Sequence, residues 1–449
     1  MRLTVLGGGG FRVPLVHRAL LDDAARAAAT GDSAGVCTEL VLHDTDRGRL
    51  DAIGRVLARQ REAGGGPGPA VRATTDLDEA LCGADFVFSA IRVGGLEGRT
   101  RDERVPLDEG VLGQETVGAG GVLYGLRTLP VAIRIAERIA AVAPDAWVIN
   151  FTNPAGMVTE AMGRVLRERG LGERVIGICD SPVGLCRRAA RALGVDPDTA
   201  DYDYVGLNHL GWLRHLTVAG RDRLPELLGD PARLESFEEG KLFGADWLRT
   251  LGALPNEYLH YYYFNREAVA SVRGAAATRG EFLREQQSRF YDGLGEGGEF
   301  EAWESTRRER EETYMAESRA ASGGWERDSC DLDGGGYDQV ALTLMRAIAR
   351  GERGTLILNV PNRTAVPALD ADAVIEVPCL VDAAGARPLA PTAVAPDQLG
   401  LMLSVKAVER AAIEAAVTGS RTAALRALAL HPLVDSVRVA QRILERSGA

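Results

Sequence analysis

The sequence predicts an α/β protein: an N-terminal, doubly wound, mostly parallel sheet followed by a mixed α+β region that is mainly helical. Three observations carry this expectation. Short apolar runs alternate with helix-period segments from residue 2 to about residue 193, the pattern of parallel strands joined by crossover helices. A glycine run, Gly7-Gly8-Gly9-Gly10, separates the first strand from the first helix, as in Rossmann-like sheets. Beyond Gly194 the alternation stops, and residues 225–350 are helical in pattern, charged and richer in aromatics. The expected division is 1–195 and 196–449, with no long linker between the halves.

Residues 2–6 form an apolar strand, and a helix follows from about Leu15 to Ala29, with Leu15, Val16, Ala19 and Leu20 on one face. A strand, a glycine turn and a helix N-terminus set backbone N–H groups under a phosphate, where a Cβ would block the approach. Gly7, Gly8, Gly9, Phe11 and Arg12 are thus candidate dinucleotide contacts. Arg12 stands where the usual fingerprint has its third glycine, so an ordinary strand–helix turn is the alternative. The second strand, Glu39 to His43, ends in Asp44, which can accept from both ribose hydroxyls and so favours NAD over NADP. Helix capping is the competing use, and Asp46 is placed for it. A strand near residues 70–73, a short helix from Thr75-Asp76 and a strand at residues 85–90 follow.

Residues 92–121 are polar and show little periodicity, so a long loop is expected. Such a loop inside an α/β domain is usually functional or disordered, and it puts Arg99, Glu115 and Thr116 within reach of a ligand. A helix at 126–143 returns to the strand Trp147 to Asn150. Asn153, just beyond, can offer its amide to a ligand hydroxyl or a nicotinamide, or serve the turn before Pro154. The strand at 174–178 delivers Cys179 and Asp180, a soft metal ligand beside an acid, where chemistry collects in open sheets. His209 lies between two strand-like runs, 202–207 and 213–218. A buried structural cysteine and a satisfied loop histidine are the plain alternatives. Tyr258 opens a tyrosine cluster ending at Tyr263, for which packing is the competing role, and Arg279 follows. Strands near 355–361 and 373–378 and helices at 401–417 and 422–430 complete the chain.

Composition narrows the function. Fifty-two basic against 63 acidic residues give a net charge of −11 with no basic tract, which argues against nucleic acid or an anionic membrane as partner. No apolar run approaches the ~18 residues of a membrane span. Cys37, Cys82, Cys179, Cys186, Cys330 and Cys379 form no CxxC pair, and the first residues run straight into a strand without a signal-peptide pattern. Both features fit a reducing cytoplasm.

Further motifs recur in a fixed order: Gly94-Gly95-Leu96-x-Gly98-Arg99, Gly113-Gln114-Glu115-Thr116, Asn150-x-x-Asn153-Pro154, Cys179-Asp180-x-Pro182, Gly206-Leu207-Asn208-His209 and Tyr258-Leu259-x-Tyr261-Tyr262. With Gly7–Gly9, over nearly the whole chain, they resemble glycoside hydrolase family 4, the NAD- and divalent-metal-dependent glycosidases that depart from two-carboxylate hydrolysis. The resemblance implies a cofactor-binding domain over 1–195 and a catalytic, substrate and oligomerisation domain over 196–449. It implies Cys179 and His209 as ligands of a metal, generally Mn2+, and Tyr258 as base. Asp180 matches the acid of the α-glucoside branch. Asn153 and Asn208 match substrate-binding positions, and Arg99 and Arg279 match contacts to a sugar phosphate. NAD+ would take hydride from carbon 3 of the sugar, Tyr258 the proton from carbon 2, and the glycosidic oxygen would leave by elimination before water adds back. A tyrosine with a pKa of ~10 is only about 0.1% ionised at pH 7, so such a base needs a nearby dication.

The expected substrate is a small phosphorylated glycoside, and the expected assembly a homodimer or homotetramer. The stretches at 94–99 and 151–157 resemble the β-glucosidase branch, which makes 6-phospho-β-glucosidase the leading expectation; Asp180 keeps the α-anomer open. Gly10 stands where phosphoglycosidases often carry serine, so a non-phosphorylated substrate also stays open. An NAD-dependent 2-hydroxy-acid dehydrogenase and a non-catalytic NAD sensor are the readings from other classes.

Overall fold

The computed structural model describes residues 1–295, 297–327 and 336–448. Six parallel strands come first: β1 (Arg2–Leu6), β2 (Glu39–His43), β3 (Ala70–Thr74), β4 (Phe86–Ser89), β5 (Trp147–Asn150) and β6 (Val175–Gly177). Seven more follow: β7 (Asp201–Leu207), β8 (Leu210–Val218), β9 (Arg221–Asp222), β10 (Leu254–Pro255), β11 (Gly354–Pro361), β12 (Val374–Asp382) and β13 (Gly385–Pro388). All belong to one sheet of order β10-β8-β7-β12-β11-β6-β5-β4-β1-β2-β3, with β13 on β12 and β9 on β8. The segment β3-β2-β1-β4-β5-β6 is the doubly wound dinucleotide-binding order, whose ligand crevice lies beyond the strand C-termini where the order reverses, between β1 and β4. The sheet continues past residue 195 without a break: β11 lies antiparallel on β6 at Asn359↔Gly177, and β12 reaches β7 at Glu376↔Gly206.

Alternation builds the layers. Leu3, Val5, Phe86, Phe88 and Ile149 join one buried cluster, whereas Leu6, Val87 and Val148 join the other, because successive side chains of a strand face opposite ways. The helix Arg47–Gly64 starts where Asp46 accepts from Arg49 N (3.0 Å) and stops at Gly65, whose φ of 59° suits glycine.

The expected loop at 92–121 is a correction. It holds the helix Gly95–Asp108 and the start of the helix Gly118–Val142. The first of these buries Arg99, Asp102 and Glu103 alongside Leu96, Val105 and Leu107. Arg99 Nε donates to Glu103 (2.8 Å), and Arg127 Nη1 donates to the buried Asp102 (2.8 Å). Paired charges on the inner face erase the hydrophobic period that marks a helix. The helices Ala155–Glu168 and Val437–Ser447 are additional to the sequence expectation.

No helix among the described residues is long and apolar enough to cross a membrane. Cys37, Cys82, Cys179, Cys186 and Cys379 are free thiols, and Cys330 lies outside the described residues.

A buried ion network ties the helix Pro396–Thr418 to the helix Ala155–Glu168. Lys406 Nζ donates to Glu160 (3.1 Å) and to Glu409, and Arg410 Nε donates to Glu160 (3.1 Å). Lys406→Met strands Glu409 in the interior and leaves Glu160 one donor short. The expected cost is about 3–5 kcal/mol, read as a lowered urea midpoint.

Candidate functional site

The strands β1, β2, β4, β5 and β6 all end on one cavity of ≈ 770 Å³. Its lining includes Gly7, Phe11, Arg12, Asp44, Arg99, Asn153, Cys179, Asp180, Asn208, His209, Tyr258 and Arg279. Gly8 and Gly9, also expected as contacts, are absent from it. Their amides are used inside the turn: Gly7 N and Gly8 N donate to His43 O (2.9 and 2.8 Å), and Gly9 N donates to Asp44 Oδ2 (3.1 Å). A Cβ on Gly8 would lie 2.7 Å from Leu42 Cβ, and one on Gly7 2.5 Å from Ala90 O. These glycines let the turn press against β2 and β4.

Asp44 lines the cavity, its carboxylate accepting from Gly9 N (3.1 Å) and Asp46 N (3.2 Å), while Asp46 caps the following helix. Phe11 packs edge-on against Phe290 (5.3 Å between centroids), and its carbonyl accepts from Trp303 Nε1 (2.8 Å). The Gly9 carbonyl accepts from Tyr291 (2.7 Å). The second half of the chain thus braces the glycine turn.

His209 turns the chain between β7 and β8 with a φ of 61°, unusual for a residue with a side chain. Its Nδ1 lies 2.8 Å from Thr116 Oγ1, and its ring stacks on Tyr258 with 3.7 Å between centroids and 10° between planes. Tyr258 reaches it because β10 pairs with β8 and Asn256 N donates to Gly211 O (2.8 Å); Asn256 Oδ1 then accepts from Tyr258 N (3.0 Å). Cys179 Sγ lies 4.0 Å from Asp180 Oδ1 at the end of β6. Burial pushes the Cys179 thiol and the Tyr258 hydroxyl well up, and nearby carboxylates add to both. Burial also lowers His209 to about 4, leaving it neutral at pH 7. Asp180 is raised by burial against the opposing charge of Arg12, 3.9 Å away.

Among the described residues no three His, Cys, Asp or Glu side chains gather around an ion. A cation held by Cys179 and His209 would therefore keep open positions for other oxygens. Asn153 Oδ1 is buried, faces the same cavity and has no partner among the described residues, so the amide is not spent on the turn before Pro154.

Eight arginines line the cavity, Arg12, Arg99, Arg279 and Arg310 among them. Arg99 pairs with Glu103 and with Glu115 (2.6 Å), and Glu115, pushed up by burial, is brought to about 2 by Arg92 and Arg99. Arg279 donates to Thr313 Oγ1 (2.7 Å) and Arg310 O (2.8 Å). Burial, then Arg99, lowers Arg279 to about 10; burial, then Arg12 and Arg279, lowers Arg310 to about 9. Burial is the larger cause in both, and the neighbouring arginines add to it.

Sequence reasoning missed Arg310, Tyr314, Glu257 and Glu376. Tyr314 lies 3.0 Å from the Tyr258 hydroxyl and 3.4 Å from Glu257, which accepts from Ser181 (2.6 Å). Glu376 accepts from Asn359 (2.8 Å), Tyr204 (3.1 Å) and Asn208 (3.3 Å), and so holds Asn208. Arg310 sits in Arg307-Arg308-Glu309-Arg310-Glu311-Glu312, a charge run that looks solvated in sequence; Glu257, adjoining Tyr258, was the one with a local signal.

Comparison with known proteins follows this geometry. The chain matches the Family 4 glycosyl hydrolase over residues 31–195 and the Family 4 glycosyl hydrolase C-terminal domain over 204–434. It belongs to glycoside hydrolase family 4. A probable 6-phospho-β-glucosidase of Bacillus subtilis is 34% identical over 417 residues, 91% of this chain and 88% of the relative. A 6-phospho-α-glucosidase of Lacticaseibacillus paracasei is 30% identical, covering 98% and 95%. The 6-phospho-β-glucosidase of Thermotoga maritima, solved with manganese, NAD+ and glucose-6-phosphate, superposes with a TM-score of 0.80 at 26% identity, covering 100% and 97%. The dehydrogenase and sensor readings give way to a glycoside hydrolase.

Glu376 gives this hydrolase a pH signature. Burial raises its carboxyl to about 7, against the donors Asn359, Asn208 and Tyr204. The folded state then holds a proton the unfolded chain has released, so its contribution is full below about pH 4 and falls away as pH rises through about 7. Glu376→Gln is expected to flatten the decline of unfolding free energy across that window by roughly 3 kcal/mol, measured by urea unfolding at stepped pH.

Proposed function

We propose that this chain is a 6-phospho-β-glucosidase working with NAD+ and a divalent cation, Mn2+ by preference. The supporting observation is that Cys179, His209 and Tyr258 line one cavity beyond the parallel strands together with Arg12, Arg99, Arg279 and Arg310. Residues 1–195 carry most of the cofactor surface and residues 196–449 most of the substrate surface. Asp44, at the end of β2, takes the ribose hydroxyls, while Gly7, Phe11 and Arg12 border the dinucleotide. Cys179 Sγ and His209 hold the cation. When bound, NAD+ would accept a hydride from carbon 3 of the sugar and return it once water has added at carbon 1, and the cation would act as a Lewis acid on the transient ketone.

Tyr258 Oη takes the proton from carbon 2. Tyr314 and, beyond it, Glu257 hold that hydroxyl in place. Burial alone keeps both Tyr258 and Cys179 protonated, so the base is competent only beside a positive charge. Asp180, raised by its burial, gives a proton to the leaving glycosidic oxygen. Arg99, Arg279 and Arg310, with Arg12, receive the 6-phosphate by charge-assisted hydrogen bonds, and Arg12 takes the place of the serine that Gly10 does not provide. Asn153 Oδ1, still needing a donor, and Asn208, set by Glu376, hold sugar hydroxyls.

The β reading draws on the stretches at 94–99 and 151–157, since relatives of both specificities are of similar identity, 34% for the Bacillus subtilis β-enzyme and 30% for the Lacticaseibacillus paracasei α-enzyme. Asp180 supports the α-anomer as second reading. Assay of 4-nitrophenyl α- and β-glucosides, each with and without 6-phosphate, separates the readings. Turnover of the phosphorylated β-glucoside, lost without NAD+ or Mn2+, is the expected result. Preference for the α-partner selects the second reading, and equal turnover of unphosphorylated glucosides removes the phosphate site. Tyr258→Phe keeps the stacked ring and is expected to lower kcat by about 10²–10⁴-fold. Arg310→Met is expected to raise KM for phosphorylated substrate about tenfold or more, with kcat little changed.

A further inference from the structure

The Gly113-Gln114-Glu115-Thr116 turn stands between the two ends of the site. Gln114 Oε1 accepts from Thr116 N (2.7 Å) and Val117 N (2.8 Å), two donors that fix which end of the amide is oxygen. The same oxygen lies 3.2 Å from Thr116 Oγ1. A hydroxyl has one proton. Given to Gln114, it leaves Thr116 Oγ1 facing His209 Nδ1, 2.8 Å away, with lone pairs only. Nδ1 must then carry the imidazole proton, and Nε2, which has no hydrogen-bond partner among the described residues, presents a lone pair in the cavity.

The turn is closely packed. A Cβ on Gly121 would lie 2.5 Å from Thr116 O, one on Gly120 2.2 Å from Gln114 O, and one on Gly113 1.8 Å from Glu103 O. Glu115, between Gln114 and Thr116, points the other way, to Arg99 and Arg92.

We propose that Thr116, held by Gln114, is a positioning residue that locks His209 in the Nδ1–H tautomer and aims its Nε2 at a divalent cation. The proposal rests on the cation reading above. Loss of such an outer hydrogen bond typically weakens metal binding 10–100-fold.

Two measurements on the full chain test it. First, Mn2+ is titrated into the NAD+-containing enzyme and followed by electron paramagnetic resonance. Thr116→Val is expected to raise the Mn2+ dissociation constant 10–100-fold, with Thr116→Ser within about threefold of wild type and NAD+ affinity unchanged. Second, the protein labelled with 15N at histidine is examined without metal. The wild type is expected to show His209 as Nδ1–H, and Thr116→Val a mixture of tautomers. A folded Thr116→Val protein that binds Mn2+ like wild type, or a wild-type His209 protonated at Nε2, overturns the proposal. A wild type that binds no Mn2+ overturns the cation reading instead, while the tautomer spectrum still decides the role of Thr116.

Discussion

The face-to-face contact between the rings of His209 and Tyr258 is the constraint around which the site is built. It requires a tight β7–β8 turn, met by a left-handed backbone at His209, and a second segment brought alongside β8, met by β10. It also requires burial, which keeps Tyr258 protonated and His209 neutral. A buried neutral phenol beside a buried neutral imidazole and thiol is chemically quiet. On the proposed reading only an added positive charge gives the trio a base, and metal dependence then follows from burial as much as from ligand identity.

The two halves share one sheet and one cavity. The first half supplies strand ends, the glycine turn and Asp44. The second returns to brace that turn through Tyr291 and Trp303, whose donors reach the carbonyls of Gly9 and Phe11. The helix Arg279–Asp292 spans both ends of the site: Arg279 lies among the arginines, and Tyr291 touches the glycine turn. At 1.5 Å per residue its 14 residues cover roughly 20 Å, about the reach from one subsite to the other.

What could be read from the sequence was what local pattern encodes. Strand–helix alternation gave the parallel sheet, and residues just past strand ends gave Asp44, Asn153, Cys179 and Asp180, all in the cavity. Residues 92–121 misled because the helix Gly95–Asp108 satisfies its inner face with ion pairs, which look like a polar loop. Arg310 and Tyr314 were invisible for a related reason: their partners lie far away in the chain, and nothing in a charged helix marks which arginine turns inward. Glu376 was hidden in an apolar strand, and its value lies in Asn208, 168 residues distant.

The central claim is that Tyr258 removes a proton from carbon 2 of a transiently oxidised sugar. Turnover of the phosphorylated glucoside in heavy water, with NAD+ and Mn2+ present, tests it most directly. The account expects deuterium at carbon 2 of the released glucose-6-phosphate in the wild type, and carbon 2 exchange slowed in step with turnover in Tyr258→Phe. Glycoside cleavage by the wild type with carbon 2 still fully protonated would contradict it.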